Sequence, residues 1–306
     1  MEGLIVKSTG SWYQVKTQKG MIDARLRGRF KLEDKKITNP IAVGDKVQLV
    51  KNEGGENEWM IEEIAPRENY IIRKSPRKKH HDHLIAANVD QAILIATVKR
   101  PKTSFGFIDR FLVTLEAFRI PGIIIFNKID LLDDDEMEEL KYTMWRYERI
   151  GYKCLMAAFT EKGISKEVND LLEGKLSLLS GHSGAGKSTM VNMLLPNVAQ
   201  KVSEVSDFAN KGVHTTTFAE MFFINGNSAI IDTPGIKELG LSEIEADELA
   251  HYFPEMRVHL GSCKFNNCTH TNEPGCKILE DVEAGNIDDD RYFSYISMLE
   301  DDDNRR

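Results

Sequence analysis

Long hydrophobic runs and evenly spread cysteines are both missing from this 306-residue sequence. The longest apolar runs, around residues 92–96 and 123–126, are far too short to cross a bilayer, and no basic-then-apolar leader opens the chain. Of the four cysteines, three fall between positions 263 and 276, which favours a metal site over a disulfide framework. We therefore expect a cytoplasmic protein with no membrane partner.

Charge is negative overall but unevenly distributed. The net charge is −8, yet residues 1–88 contain 17 Lys and Arg against 12 Asp and Glu, whereas the remainder contains 23 against 36. A basic N-terminal third on an acidic chain indicates a localised nucleic-acid face. A basic domain that is simply solvated explains the same charges equally well. The length predicts two or three domains.

Residues 1–70 are predicted to form a small OB-type β-barrel that binds RNA. Short strands are separated by turn sequences such as Val43-Gly44-Asp45, a pattern typical of such barrels. Basic side chains at every second position of the predicted strand 21–31 share one face, which is suited to a phosphate backbone. An edge strand that uses charge against aggregation is the alternative. The basic residues are Arg25, Arg27, Arg29 and Lys31.

The rest of the chain divides into three parts. Residues 71–83 are basic, contain Pro76 and lack apolar periodicity, so we predict an exposed linker. In residues 84–240 strands alternate with helices, which indicates a six-stranded α/β nucleotide-binding fold. Residues 241–306 are predicted to form a mostly helical metal-binding domain that ends in the acidic tail 300–303.

A complete G-x-x-x-x-G-K-S phosphate loop lies between a predicted strand, 175–180, and a predicted helix, 188–195. Its glycines let backbone N–H groups surround phosphate at a helix N-terminus. Lys187 is expected to reach the β- and γ-phosphates, and the Ser188 hydroxyl to bind Mg²⁺. The predicted phosphate-binding residues are Gly181, His182, Ser183, Gly184, Ala185, Gly186, Lys187, Ser188 and Thr189.

The sequence Asn127-Lys128-Ile129-Asp130 fits the guanine-reading N-K-x-D pattern. The Asp130 carboxylate can accept from guanine N1–H and the 2-amino group, which adenine does not offer, so GTP is favoured over ATP. We expect Asn127 to contact N7 and the Lys128 stem to lie over the base. The element that usually closes over guanine O6 is degraded to Met156-Ala157-Ala158-Phe159, in which the Ala158 N–H still offers a donor.

Asp232-Thr233-Pro234-Gly235 supplies a D-x-x-G element. Asp232 is expected to complete the Mg²⁺ site and the Gly235 N–H to contact the γ-phosphate. The switch candidate is residues 211–217, where one of three consecutive threonines would bind Mg²⁺, unless they simply begin the next strand. Ile236 replaces the usual water-orienting glutamine, so His214 is the leading catalytic candidate, with a solvated histidine as the alternative.

These motifs occur in a rearranged order. A GTPase ordinarily runs from phosphate loop to switch, D-x-x-G and last N-K-x-D, whereas here N-K-x-D precedes the phosphate loop. This order is typical of a circularly permuted GTPase domain. Permutation is physically tolerable because domain termini usually lie close together at the surface.

The C-terminal cysteines form the pattern Cys263-x₄-Cys268-x-His270-x₅-Cys276. Three thiolates and one imidazole match a closed, tetrahedral structural zinc site, in which no position remains for a catalytic water. Three buried core cysteines are the alternative. The fourth, Cys154, is predicted to be an inert core residue.

Taken together, the sequence resembles the circularly permuted GTPases of small-ribosomal-subunit biogenesis, the RsgA or YjeQ family. The resemblance implies an OB barrel, a permuted P-loop GTPase domain and a zinc module that act on the small subunit late in its assembly. It also implies GTP hydrolysis stimulated by that particle, with Thr216 on Mg²⁺ and His214 positioning water. The residues that carry it are 26–29, 87–91, 127–130, 181–188, 214–217, 232–235, 268–270, 273–276 and 291–295.

The departures from the family pattern are residues 156–159 and the acidic tail. An RNA-binding assembly module that holds GTP as a structural ligand is the competing interpretation, and a GTPase switch unrelated to the ribosome is a third. The expected partners are rRNA of the small subunit, GTP and GDP, and a monomer is the default expectation.

Overall fold

The computed structural model describes residues 1–9, 12–27, 40–52, 58–74, 82–160, 163–196, 219–232 and 244–300, with the backbone alone at 73–74, 82–83 and 232. Within these ranges the chain forms a β-barrel, an α/β sheet and a helical C-terminal module. None of the described helices has the length and apolar character needed to cross a membrane.

The N-terminal strands close into a five-stranded barrel. Their order is β1-β2-β3-β5-β4, and β4 pairs with β1 to complete the ring. The β3–β5 pairing is parallel and the other pairings are antiparallel. Alternate side chains point inward, so Ile5, Val15 and Leu49 lie in the barrel core. The predicted OB-type barrel is confirmed; its strands are β1 (Glu2–Ser8), β2 (Tyr13–Thr17), β3 (Gly20–Leu26), β4 (Lys46–Lys51) and β5 (Trp59–Ile64).

The segment predicted to be a linker begins and ends inside strands. β6 (Tyr70–Lys74) pairs antiparallel with β7 (Asp82–Ala87). Ile71 and Ile72 are buried, and this short apolar pair supports the hairpin although the surrounding composition is basic. The expectation of an exposed linker over all of 71–83 is therefore wrong at both ends, and 75–81 lie outside the described residues.

The central sheet has the six strands that the sequence predicts. Their order is β10-β9-β8-β11-β13-β12, with all neighbours parallel except β12. The strands are β8 (Gln91–Thr97), β9 (Gly122–Asn127), β10 (Lys153–Met156), β11 (Leu176–Ser180), β12 (Glu220–Phe223) and β13 (Ala229–Asp232). The helices are α1 (Phe105–Ala117), α2 (Asp134–Arg149), α3 (Lys166–Leu172) and α4 (Lys187–Leu194), with a 3-10 turn at Ile129–Leu131.

The barrel and the central sheet are joined edge to edge. β1 pairs with β12 where Lys7 lies opposite Glu220, and the Lys7 Nζ is 2.8 Å from the Glu220 carboxylate. The Lys16 ammonium lies 3.5 Å from the ring centroid of Phe223, also in β12. Strand β12 is thus shared between the two β structures.

The C-terminal module packs on α1. It consists of a 3-10 turn (Leu249–Tyr252), α5 (Pro254–Arg257), α6 (Lys277–Glu283) and α7 (Asp289–Leu299). Phe253, Met256, Ile278 and Tyr295 form its apolar core, and Val113 of α1 belongs to the same cluster. Helix α1 therefore packs against the central sheet and also supplies a side chain to the core of the C-terminal module.

We predict that Arg67 stabilises the barrel through a buried carboxylate. Asp45 is fully buried and accepts two hydrogen bonds of 2.7 Å from Arg67 and one of 2.8 Å from the Ala42 N–H. Arg67→Met leaves the buried Asp45 carboxylate without its cation. The variant should lower the free energy of unfolding by about 3–5 kcal/mol, measured by urea denaturation. As a control, Arg27→Met breaks the exposed pair with Glu62 and should cost at most about 1 kcal/mol. Equal effects of the two variants would contradict the prediction.

Candidate nucleotide site and metal cluster

The phosphate loop, Gly181–Ser188, connects the end of β11 to the start of α4. It lies directly against the neighbouring strand, because a Cβ at Gly181 would come within 2.3 Å of the Ile95 carbonyl oxygen of β8. Gly181 also has φ +135°, a conformation that L side chains rarely adopt. The loop therefore leaves the sheet at a point where only glycine fits, which is the strand–loop–helix arrangement that the sequence predicts.

A buried amide connects the phosphate loop to the predicted base-binding segments. The Asn127 side chain is 4% exposed, its Nδ2 donates to the Ala185 carbonyl at 2.8 Å, and its Oδ1 accepts from the Phe159 N–H at 3.0 Å. A Cβ at Gly186, where φ is +111°, would lie 2.1 Å from that Nδ2. Asn127 thus connects two loops, a role that the expectation of contact with guanine N7 does not include.

The Lys187 side chain lies across its own loop. Its Nζ donates to the carbonyl oxygens of Gly181 and His182, the latter at 2.8 Å. Ser188 and Thr189 are exposed at the start of α4. The Lys187 ammonium and the N-terminus of α4 therefore both lie at the phosphate loop, and positive charge at a helix N-terminus favours an anion.

The other predicted base-contacting residues surround Asn127. Lys128 adopts φ 63°, and its Nζ donates to the Arg100 carbonyl at 2.7 Å. Asp130 is exposed in the 3-10 turn, and the Ala157 carbonyl accepts from the Ile129 N–H at 3.3 Å, which holds the half-buried Ala158 nearby. The structure therefore brings Asn127, Lys128, Asp130 and Ala158 together beside the phosphate loop.

The loop 97–103, which the sequence motifs do not reveal, also lies beside the phosphate loop. Thr97 and Thr103 exchange hydrogen bonds, with the Thr97 N–H donating to Thr103 Oγ1 at 3.0 Å and the Thr103 N–H to the Thr97 carbonyl at 2.8 Å. The closed loop places Pro101 Cδ 3.6 Å from the Cβ position of Gly184. Its residues match no nucleotide motif, so only their position identifies them.

The structure does not describe several residues that the sequence predicts to act in hydrolysis. His214, Thr215, Thr216, Thr217 and Gly235 lie outside the described residues. Asp232 is the last residue of β13, and its backbone pairs with Leu179 of β11. The phosphate loop begins two residues after Leu179, so Asp232 lies on the strand next to the one that leads into the loop. The predicted Mg²⁺ ligands and the catalytic histidine therefore stay predictions.

The two described members of the basic set predicted on β3, Arg25 and Arg27, each form an ion pair with a glutamate. Strand β3 ends at Leu26, so Arg25 lies in the strand and Arg27 follows it, whereas Arg29 and Lys31 lie outside the described residues. Arg25 Nε is 3.2 Å from the Glu58 carboxylate and Arg27 Nη1 is 2.5 Å from Glu62. The parallel β3–β5 pairing supplies these acids, which the sequence of β3 could not reveal.

The ligand atoms of Cys263, Cys268, His270 and Cys276 all lie within 4.8 Å of one another. The Cys263 and Cys276 sulfurs are 3.9 Å apart, and His270 Nδ1 is 3.6 Å and 3.4 Å from them. Ligands about 2.0–2.3 Å from a tetrahedral Zn²⁺ are separated by similar distances. The four side chains fit such an ion, and none of these cysteines forms a disulfide.

The surroundings of the cluster suit metal binding. Burial lowers the pKa of His270, which favours the neutral, ligating imidazole. Burial raises the pKa of Cys268 to about 12, so binding of a cation must displace thiol protons, and affinity falls at acid pH. Burial opposes ionisation of Glu273, but hydrogen bonds from Thr269 and neighbouring backbone N–H groups outweigh it and lower its pKa to about 2.

Comparison with known proteins decides the family. The RsgA GTPase family matches residues 64–242, and the RsgA N-terminal domain matches residues 2–57. The Cytophaga hutchinsonii protein named small ribosomal subunit biogenesis GTPase RsgA is 53% identical, with all of both chains covered. The chain belongs to the RsgA GTPase family. A Bacteroides fragilis protein of the same name is 48% identical, covering 98% of this chain and 97% of its own.

Solved structures agree with the RsgA fold. The crystal structure of YjeQ from Thermotoga maritima has a TM-score of 0.74 and 32% identity, covering 97% of this chain and 96% of its own. YloQ, described as a circularly permuted GTPase, has a TM-score of 0.69 and 29% identity over 97% and 93% of the two chains. As an RsgA family member the protein is a GTP hydrolase, and the family implies Mg²⁺ with GTP.

We predict that Gly186→Ala weakens GTP binding without unfolding the protein. The new Cβ would displace the Asn127 amide and strain the loop by about 1–3 kcal/mol, and loss of that free energy from nucleotide binding is a roughly 5- to 150-fold rise in Kd. Fluorescent-nucleotide titration measures the change. Gly106→Ala, in α1 where a Cβ meets no atom within 4 Å, is the matched control and should bind GTP normally. Wild-type affinity in Gly186→Ala would disprove the close approach.

Proposed function

We propose that this GTPase binds the small ribosomal subunit and acts in its late assembly, hydrolysing GTP to GDP and phosphate with stimulation by the particle. The observation that carries the proposal is the similarity, over the full length of the chain, to proteins named for small-subunit biogenesis. The similarity extends over the barrel, the nucleotide site and the cysteine module together. We infer that the protein acts in the cytoplasm, as a monomer.

In this proposal the phosphate loop and the start of α4, from Gly181 to Thr189, bind the phosphates, with Lys187 at the β- and γ-phosphates. Asp130 reads the guanine edge, the Lys128 stem lies over the base, and the Ala158 N–H contacts O6. The second Nδ2 hydrogen of Asn127, beyond the one donated to Ala185, is the group that would reach N7. The proximity of these residues in the structure supports this assignment.

Hydrolysis depends on orienting water and stabilising developing charge. Mg²⁺, which Ser188, Thr216 and Asp232 would hold, neutralises phosphate charge when bound. We propose that Lys187 stabilises the transferred phosphoryl group, that the Gly235 N–H contacts the γ-phosphate, and that His214 positions the attacking water. Because Ile236 cannot orient water, intrinsic turnover should be slow until the ribosomal particle orders the switch.

We predict that small ribosomal subunits accelerate GTP hydrolysis and leave ATP hydrolysis unchanged. Phosphate release is measured with and without the particle. His214→Ala should keep GTP binding but lose roughly 100-fold or more of the stimulated rate, a typical contribution of a positioned acid–base group. An intrinsic rate already equal to the stimulated rate would contradict the proposal.

The second candidate function is an RNA-binding assembly factor for which GTP is a structural ligand. Ile236 in place of glutamine favours it. In that case GTP would promote binding to the particle, and His214→Ala would leave the maturation activity intact. Loss of that activity together with hydrolysis would exclude it.

We further propose that the barrel contacts rRNA through Arg25, Arg27, Arg29 and Lys31. The ion pairs of Arg25 with Glu58 and of Arg27 with Glu62 mean that phosphate would compete with these acids. Arg25 Cζ also lies 3.9 Å from the ring centroid of Trp12, which is 39% exposed, so an aromatic surface accompanies the charge. Aromatic and basic side chains together are typical of RNA-binding surfaces.

We propose one structural Zn²⁺ per chain, held by Cys263, Cys268, His270 and Cys276. Metal analysis of the purified protein should give one equivalent, and Cys263→Ala should contain almost none and unfold at a lower temperature. Cys154→Ala is the matched control, because Cys154 is buried in β10 away from the cluster and should retain the metal. Purified wild-type protein that contains no metal, and whose unfolding temperature does not change when Zn²⁺ is added, would refute the site.

A further inference from the structure

The start of α1 packs against the phosphate loop. The Phe107 ring and the His182 imidazole have centroids 4.1 Å apart and planes 32° apart. The His182 carbonyl in turn accepts a hydrogen bond from Lys187 Nζ at 2.8 Å. Pro101, on the loop that precedes α1, lies beside Gly184. A shift of α1 would therefore move the backbone that holds the lysine.

The same helix carries a buried carboxylate that depends on the C-terminal module. Asp109 is fully buried, and its Oδ1 accepts from Arg291 Nη1 at 2.8 Å and from the Tyr147 hydroxyl at 2.9 Å. Burial raises the pKa of Asp109, and the Arg291 charge opposes that rise. The Asp109 Oδ1 is thus bound by a guanidinium from α7 and a hydroxyl from α2.

Arg291 connects α1 to the metal-cluster loop. Its Nε and Nη2 donate to the Glu255 carboxylate at 2.7 Å and 3.2 Å, so the guanidinium binds two carboxylates, Asp109 and Glu255. Farther along α7, the Tyr292 and Tyr295 hydroxyls donate to the carbonyls of His270 and Thr269 at 2.8 Å each. Helix α7 therefore contacts the cluster loop and α1 at once.

We propose that Arg291 is a positioning residue for the nucleotide site. By holding Asp109 it fixes α1, and α1 holds His182 and Lys187 through Phe107. Helix α1 and a short series of packed side chains connect Arg291 to the phosphate loop, the kind of path along which coupling is carried. The inference rests on the proposed role of the phosphate loop in binding GTP.

Arg291→Lys keeps the charge but cannot bridge both carboxylates, and Arg291→Met removes it. Both variants should raise the Kd for GTP and the KM roughly 2- to 30-fold, with kcat unchanged, because ground state and transition state lose the same positioning. A purely structural defect would instead lower the active fraction, and so apparent kcat, at constant KM. Circular dichroism and metal content establish that each variant is folded and loaded.

Arg257→Met is the matched control. Arg257 also joins the C-terminal module to α1, through a 2.8 Å ion pair with Glu116. Glu116 lies at the C-terminal end of α1, far from Phe107, and the Arg257 side chain is half-exposed. Its Kd should stay within about twofold of wild type. The Arg291 and Phe107→Ala effects should be non-additive, because both act through α1. Additive effects, or an unchanged KM in folded Arg291→Lys, would overturn the inference; if Arg291→Met does not fold, Arg291→Lys decides alone.

Lys187→Ala distinguishes a failure of the proposed phosphate-loop role from a failure of the role proposed for Arg291. If it binds GTP as the wild type does, the assignment of the phosphate loop is wrong and the inference falls with it. If Lys187→Ala loses GTP while both Arg291 variants keep wild-type Kd and KM, only the inference about Arg291 fails.

Discussion

The geometry of the nucleotide site depends on one buried amide. Asn127 joins Ala185 of the phosphate loop to Phe159 of the loop after β10, and its nitrogen occupies the space that a side chain at Gly186 would need. These hydrogen bonds are shielded from water, so breaking either one leaves a buried polar group unpaired. This contact fixes the phosphate loop relative to the segment that contains Asn127 and the loop after β10, the two segments proposed to read the base.

The flanking structures share elements with the sheet that carries this site. Strand β12 pairs with β13 on one side and with β1 of the barrel on the other. Helix α1 packs on the sheet and supplies Val113 to the core of the C-terminal module. An RsgA family GTPase built in this way attaches both outer modules directly to elements of the nucleotide-binding domain.

Much of the fold could be predicted because its signals are local. The strand before the phosphate loop, the hairpin at β12 and β13, and the spacing of Cys263, Cys268, His270 and Cys276 each follow from short stretches of sequence. The β6–β7 hairpin is not predicted by local composition, because its two buried isoleucines, Ile71 and Ile72, lie in a basic stretch. The acids opposite Arg25 and Arg27 are Glu58, which directly precedes β5, and Glu62 within β5, so the sequence of β3 could not reveal them.

The sequence by itself determined the chemistry: which glycines, lysine, cysteines and histidine are present and in what order, and hence the permuted GTPase and the metal-binding pattern. Only the tertiary structure decided which distant groups meet. Asp109 and Arg291 are 182 positions apart, and Lys7 and Glu220 are 213 apart. Such contacts depend on the path of the whole chain, and no periodicity or spacing encodes them, because their free energy is gained only after the intervening segments have folded.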